Sequence, residues 1–283
     1  MVEPSGHRSA VVTPGAGVIA EALGTFMLTL SGTATVLAVH KLRGGAPTVF
    51  TAADDVAISM AFAFGVIAAV YVLASVSGAH LNPAVTVALA AVRKFPWSKV
   101  PGYVLAQFVG AVLAGLMNWL MFGNELRQAL ILGATRPGAD IAWYTALVTE
   151  FVITLVLMVV IMATAVYQRP PGGPTQSGLA IGLWIGAAIF FALPISGGAL
   201  NPARALGPDI AALQFPFWWI YLIGPVCGAL AGAALWVYVL AQDHPETTEV
   251  IEAGIPQQVS PTTARPVSSG RGGRRSERSI LRR

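Results

Sequence analysis

Residues 77–86 read SGAHLNPAVT and residues 196–208 read SGGALNPARALGP, one phrase written twice. Each copy follows a long apolar segment, passes through a Ser-Gly turn and arrives at Asn-Pro-Ala. Asparagine is a good N-cap, because its side-chain oxygen accepts a backbone N–H of the first turn. Proline suits the first helical position, where its missing N–H would have had no partner anyway. Asn82, Pro83 and Ala84 are therefore expected to open one short helix, and Asn201, Pro202 and Ala203 another. A matched pair of Asn-headed half-helices inside a membrane protein is a device for handling a small polar molecule at mid-bilayer.

The remaining sequence supplies the membrane protein. Of 283 residues, 55% are hydrophobic and 11% charged, whereas a soluble domain carries about 25% charged residues. A spanning helix needs roughly 20 mostly apolar residues. Six stretches qualify: 17–40, 56–76, 101–122, 143–167, 177–193 and 218–240. The two Asn-Pro stretches, 82–92 and 201–213, are too short to span. The reading is an all-α membrane protein with six transmembrane helices and two reentrant half-helices. Residues 1–16 form an N-terminal tail, 17–240 the membrane domain, and 241–283 a Pro-, Ser- and Arg-rich tail expected to be disordered. The polar start has no hydrophobic core of its own, so the first span is expected to insert the chain and remain.

The same inventory excludes several function classes. The net charge is +4, but much of the basic residue count lies in the C-terminal tail, which argues against a nucleic-acid partner. The single cysteine, Cys227, lies in an apolar span, and His7, His40, His80 and His244 are scattered. No metal site and no cofactor is expected. No nucleophile–base pair stands out, so the chain does not read as an enzyme.

The halves repeat beyond the motifs. AEALGTFMLTL around Glu21 is echoed by TEFVITLVLMVV around Glu150, and YVLAQFVGAVLAG from Tyr103 by YLIGPVCGALAG from Tyr221. Three spans per half is an odd number, so the second half enters the membrane from the opposite side. Such an inverted repeat has its functional centre near the midplane. The short loops on the N-terminal side of the membrane hold Arg8, Arg93, Lys94, Lys99 and Arg169, against Lys41, Arg43, Arg127 and Arg136 opposite. This narrow excess favours cytoplasmic termini.

Non-helical backbone at membrane depth is tolerated only where protein buries it or where it lines a water-filled cavity. Two reentrant segments from opposite sides meet that condition if their N-termini face each other. Each N-terminus carries roughly half a positive charge from its helix dipole. A cation there meets two such ends, while the Asn82 and Asn201 amides offer donors to the oxygen of a neutral molecule. A water held by both donors points its hydrogens away, which interrupts a proton-conducting chain. The extended turns at 77–80 and 196–199 supply carbonyl acceptors along the approaches. Donors at the centre and acceptors beside it suit water and small neutral solutes.

Taken together, these residues resemble the aquaporin, or major intrinsic protein, family. The resemblance covers roughly residues 17–240 and rests on two Asn-Pro-Ala motifs in inverted halves, with Arg204 directly after the second. It implies a bundle of six tilted helices plus two half-helices, assembled as a homotetramer with one pore per subunit in the plasma membrane. It also implies a narrow filter on the extracytoplasmic side of the Asn pair. By spacing from the motifs the filter positions fall at Phe62, Ile189, Gly198 and Arg204, with Phe64 a rival for Phe62. Arg204 would donate to a passing oxygen and repel cations. Phe62 would wall the passage, and Gly198 would add no bulk. Ile189 departs from the His typical of strictly water-selective members. Glycerol-conducting relatives usually have Trp, Gly, Phe and Arg, with Asp after the Arg; here Ala205 stands at that point.

The expected function is a water channel that also passes small neutral solutes such as glycerol, ammonia, urea or hydrogen peroxide. The alternatives are a facilitator mainly for those solutes and, less well supported, a secondary transporter. Glu21 and Glu150 are carboxylates in apolar spans, expected to hold the backbone of the reentrant loops rather than relay protons. His80 is expected beside the pore, and Gln107 as an interhelical hydrogen-bond partner. Gly224, Gly228 and Gly232 have the spacing of close helix packing.

Overall fold

The computed structural model describes residues 15–44, 50–168 and 173–241, with side chains from 176 onward in the last segment. Every regular element among them is helical. Six helices are long and apolar enough to cross a membrane. In chain order the helices are α1 (Ala16–Leu42), α2 (Ala52–Ser77), α3 (Pro83–Ala91), α4 (Val100–Leu130), α5 (Trp143–Ile161), α6 (Gly173–Ser196), α7 (Pro202–Ala212) and α8 (Trp218–Leu235). The spanning helices α5 and α8 each run on into a single π turn, Met162–Val166 and Trp236–Leu240. The tails read at 1–16 and 241–283 lie almost wholly outside the described residues.

Local chemistry sets the helix ends. Thr51 opens α2 with a reciprocal capping box to Asp54, and Gly78 ends it in the left-handed conformation at φ 86°. The half-helices α3 and α7 both carry proline at their start, and each is capped by its own asparagine. Asn82 Oδ1 accepts from Ala84 N at 2.9 Å, and Asn201 Oδ1 from Ala203 N at 3.0 Å.

The two halves interlock. Helix α1 packs on α2 and α4, as α5 packs on α6 and α8; α2 and α6 join the halves. Each half-helix crosses over, α3 lying on α8 and α7 on α4. Close approach needs small residues, since lipid provides little hydrophobic drive between helices. A Cβ at Gly228 or Gly232 would overlap the α5 carbonyl of Phe151 or Leu155, and one at Gly224 would meet Glu150 Cβ at 2.8 Å. The α8 glycines thus serve packing within the chain.

One stretch differs from the sequence reading, which ended the third span at Phe122 and treated what followed as a loop. The helical ladder breaks at Gly123 (φ 83°, ψ −176°) and then resumes to Leu130. Ile131, Leu132 and Gly133 follow, all left-handed. The cause is apolar burial: Leu126, Leu130, Ile131 and Leu132 are all buried and draw the segment back into the bundle. This return carries Gly133 against Thr33 of α1.

Candidate functional site

Two reentrant turns meet at the centre, and one cavity runs past both. Its volume is about 360 Å³, and its lining includes Phe62, His80, Asn82, Ile189, Asn201 and Arg204. The asparagines are tied across the halves. Asn82 Nδ2 donates to the Leu200 carbonyl at 2.8 Å, and Asn201 Nδ2 donates to the Leu81 carbonyl at 2.7 Å. The sequence reading offered the side-chain amide of each asparagine to the lumen. The geometry corrects this: one hydrogen of each fixes the opposite turn, leaving the other for a molecule in the cavity.

Buried carboxylates hold both turns. Glu21 accepts from Ser77 Oγ at 2.7 Å, from the His80 and Leu81 amides at 3.0 and 2.7 Å, and from Gln107 Nε2 at 2.7 Å. Glu150 accepts from Ser196 Oγ at 2.7 Å and from the Ala199 and Leu200 amides, both at 2.8 Å. Turn residues that cannot form a helical ladder thereby find their acceptor inside the protein, as a low-dielectric setting requires. Two tyrosines complete the frame. Tyr103 Oη donates to the Ser77 carbonyl at 3.0 Å, and Tyr221 Oη to the Ser196 carbonyl at 2.8 Å. The repeat of segments beginning at these tyrosines was visible in the sequence, but their hydrogen bonds were not.

The four residues placed by spacing form two contacts, Phe62 with Arg204 and Ile189 with Gly198. Phe62 and Ile189 are buried and face the cavity, whereas Phe64 is exposed on the outside of the bundle. The Arg204 guanidinium carbon lies 4.4 Å from the centroid of the Phe62 ring, a cation–π arrangement. Arg204 Nη1 reaches the Gly133 carbonyl at 3.5 Å, a long hydrogen bond, and Nε has no protein partner among the described residues. Gly198 is left-handed, at φ 58°. A Cβ there would stand 3.1 Å from Ile189 Cα and 3.2 Å from its Cγ1. Gly198 and Ile189 are therefore one contact, and the absent methyl keeps that wall thin.

Sequence reasoning missed two partners of Arg204. The Gly133 carbonyl reaches it only through the left-handed turn after α4. Asp209, buried on the same half-helix, interacts electrostatically with Arg204 and Arg136. Its spacing from Arg204 was legible, but its inward direction was not.

At the end of the cavity away from Arg204, the wall turns apolar through Val66, Val70, Leu157 and Ile161, and then meets Lys94 and Gln168. The Lys94 ammonium lies 4.8 Å over the Tyr167 ring, and partial burial holds its pKa below the usual lysine value. His80 Nδ1 is 3.2 Å from Thr86 Oγ1, and its ring packs against Phe95 and Tyr103 with centroids 4.6 and 5.3 Å apart.

Comparison with known proteins gives a consistent answer. Residues 11–238 match the Major intrinsic protein family. Aquaporin NIP1-1 of Oryza sativa subsp. japonica is 39% identical, covering 78% of this chain and 72% of that protein. Probable aquaporin AqpM of Archaeoglobus fulgidus is also 39% identical, covering 78% of this chain and 95% of that one. Among solved structures, the aquaglyceroporin from Plasmodium falciparum superposes with a TM-score of 0.68 at 24% identity, over 80% of this chain and 96% of that one.

Proposed function

This chain belongs to the major intrinsic protein family, a family of membrane channels, and we propose that it conducts water passively and admits small neutral solutes. The cavity bounded by the paired asparagines and Arg204 carries this reading. A permeant oxygen entering beside Phe62 meets the Arg204 guanidinium, then the two remaining amide hydrogens of Asn82 and Asn201. Between and beyond these stations the walls are largely apolar, so the molecule is held weakly and moves on. The N-termini of α3 and α7 both face the centre and repel cations through their dipoles. Arg204 adds a full positive charge at the filter. In this reading Phe62, Ile189, Gly198 and Arg204 form the filter, Glu21 and Glu150 brace the turns, and His80 steadies the first turn beside the pore.

A second reading, a facilitator mainly for glycerol, ammonia, urea or hydrogen peroxide, draws on Ile189 and Gly198. One replaces a polar contact with an apolar one, and the other withholds a side chain. The likeness of fold to an aquaglyceroporin is compatible with it. The channel domain is assigned to 17–240, with both termini cytoplasmic, in a homotetramer of the plasma membrane.

Purified protein in lipid vesicles tests both. Under an osmotic step, vesicles holding the channel should shrink faster than empty ones. Under inward gradients of glycerol or urea they should reswell faster. Water acceleration without solute acceleration removes the second reading, and the reverse removes the first. Neither acceleration, with folded protein in the vesicles, rejects the channel assignment.

A further inference from the structure

Phe62 packs against a position outside every motif. Gly32 lies on α1 and is buried. A Cβ built there would overlap three atoms of the Phe62 ring, Cδ1, Cε1 and Cζ. The ring is therefore seated in the recess that Gly32 leaves in the helix surface. The Arg204 guanidinium lies over the same ring, 4.4 Å from its centroid. The aromatic ring thus has the α1 backbone at Gly32 on one side and the Arg204 guanidinium over it.

The next residue backs the charged wall. A Cβ on Gly133 would meet Thr33 Cβ at 2.8 Å, so Gly133 rests directly on α1. Thr33 Oγ1 accepts from Asn118 Nδ2 at 2.7 Å, and the same amide reaches the Leu132 carbonyl at 3.3 Å. The Gly133 carbonyl is the one Arg204 addresses. One turn of α1 is thus the common backstop for both a rigid apolar and a charged member of the filter.

We propose that Gly32 is a specificity-determining positioning residue: by withholding a side chain it lets Phe62 withdraw from the passage, and so sets the largest solute that passes Arg204. The inference rests on the filter reading above. Interiors are close-packed, so a methyl at residue 32 cannot be absorbed locally. The α1 backbone is fixed by its packing on α2 and α4, whereas the Phe62 ring is the far end of a side chain beside a cavity. The ring is the part that moves, and the open side is toward Arg204.

The test uses the full chain in vesicles of one lipid composition, with water and glycerol permeability measured for four forms: the unaltered chain, Gly32→Ala, Phe62→Leu, and the double variant. Gly32→Ala should lower the glycerol-to-water ratio about tenfold, the discrimination that one methylene-sized change gives in an apolar pocket. Phe62→Leu should raise it. In the double variant the ratio should match that of Phe62→Leu, because no ring remains to be displaced. If Phe62→Leu shifts the ratio but Gly32→Ala leaves it unchanged, the role of Gly32 is overturned while the filter reading stands. If Phe62→Leu leaves the ratio unchanged, the filter reading fails and the inference falls with it. Should Gly32→Ala alone not yield folded protein, the double variant must yield it with the ratio of Phe62→Leu. A double variant that is also unfolded overturns the proposal, since Gly32 would then be needed for something other than the ring.

Discussion

The two reentrant turns are the same frame with different insets. Ser77 and Ser196, Glu21 and Glu150, Tyr103 and Tyr221, and Asn82 and Asn201 make equivalent hydrogen bonds in the two halves. Backbone angles agree as well: φ is 86° at Gly78 and 85° at Gly197, 49° at Ala79 and 58° at Gly198, 52° at Leu81 and 54° at Leu200. Yet where the first turn places Ala79, His80 and Val85, the second places Gly198, Ala199 and Arg204. In the proposed function the frame positions a permeant at the centre. In that reading the inset of the second turn supplies Gly198 and Arg204 to the filter, beside Phe62 and Ile189 from the spanning helices. Ala79 also shows that the left-handed turn does not by itself demand glycine. At Gly198 the neighbour matters more than the angle: a methyl would approach Ile189 Cα to 3.1 Å, so the wall would have to give by a few tenths of an ångström.

If the frame is shared, breaking it in either half should have the largest effect. Glu150→Leu leaves Ser196 Oγ and the amides of Ala199 and Leu200 without their acceptor, at about 1–3 kcal/mol each. Against a total stability of about 5–15 kcal/mol, this should abolish most folded protein. Glu21→Leu should do the same. Monodisperse yield in detergent and thermal unfolding measure both, and a well-tolerated Leu in one half would show that the halves are not held alike.

Changing an inset should leave folding largely intact and move selectivity. Gly198→Ala gives the second turn the residue of the first. Crowding Ile189 should cost about 1–3 kcal/mol of stability and reduce glycerol flux more than water flux. Adding Ile189→Ala, which removes the Cγ1 that the new methyl would crowd, should return part of the solute flux. An unchanged flux ratio in Gly198→Ala would mean that this wall does not limit the passage.

The smallest effect is expected from His80→Ala, which gives the first turn the residue of the second. It removes the contact with Thr86, for which about 1 kcal/mol of stability is expected, and should change water permeability by less than about twofold, because the Glu21 bonds run to the backbone and not to the imidazole. A large change, or a strong pH dependence lost in the variant, would give His80 a direct part in permeation and not a passive place in the first inset.

The difference between the turns also explains what was legible in the sequence. The frame was legible because it is local and repeated: an N-cap, a proline at the first helical position and a buried carboxylate per half leave short, periodic marks. The six spans followed from apolar length. The region after Phe122 was not legible. Its return into the bundle depends on Gly123, on three left-handed residues in a row and on where Leu126, Leu130 and Leu132 find burial, and none of these is a local pattern. The Gly133 carbonyl, and with it half of the setting of Arg204, was hidden for that reason. Gly32 was hidden differently: glycine in a membrane helix is common, and only the position of Phe62 on another helix gives it meaning.

Selectivity is proposed to reside in the filter around Arg204 and not in the paired asparagines. The most direct measurement is the glycerol-to-water permeability ratio of Arg204→Val, which gives the second turn the residue of the first, beside Val85→Ala as the matched change in the first turn. The account predicts that Arg204→Val keeps water flux and raises the ratio about tenfold, while Val85→Ala leaves the ratio near that of the unaltered channel. Equal ratios in Arg204→Val and the unaltered channel, or an equal shift in both variants, would contradict it.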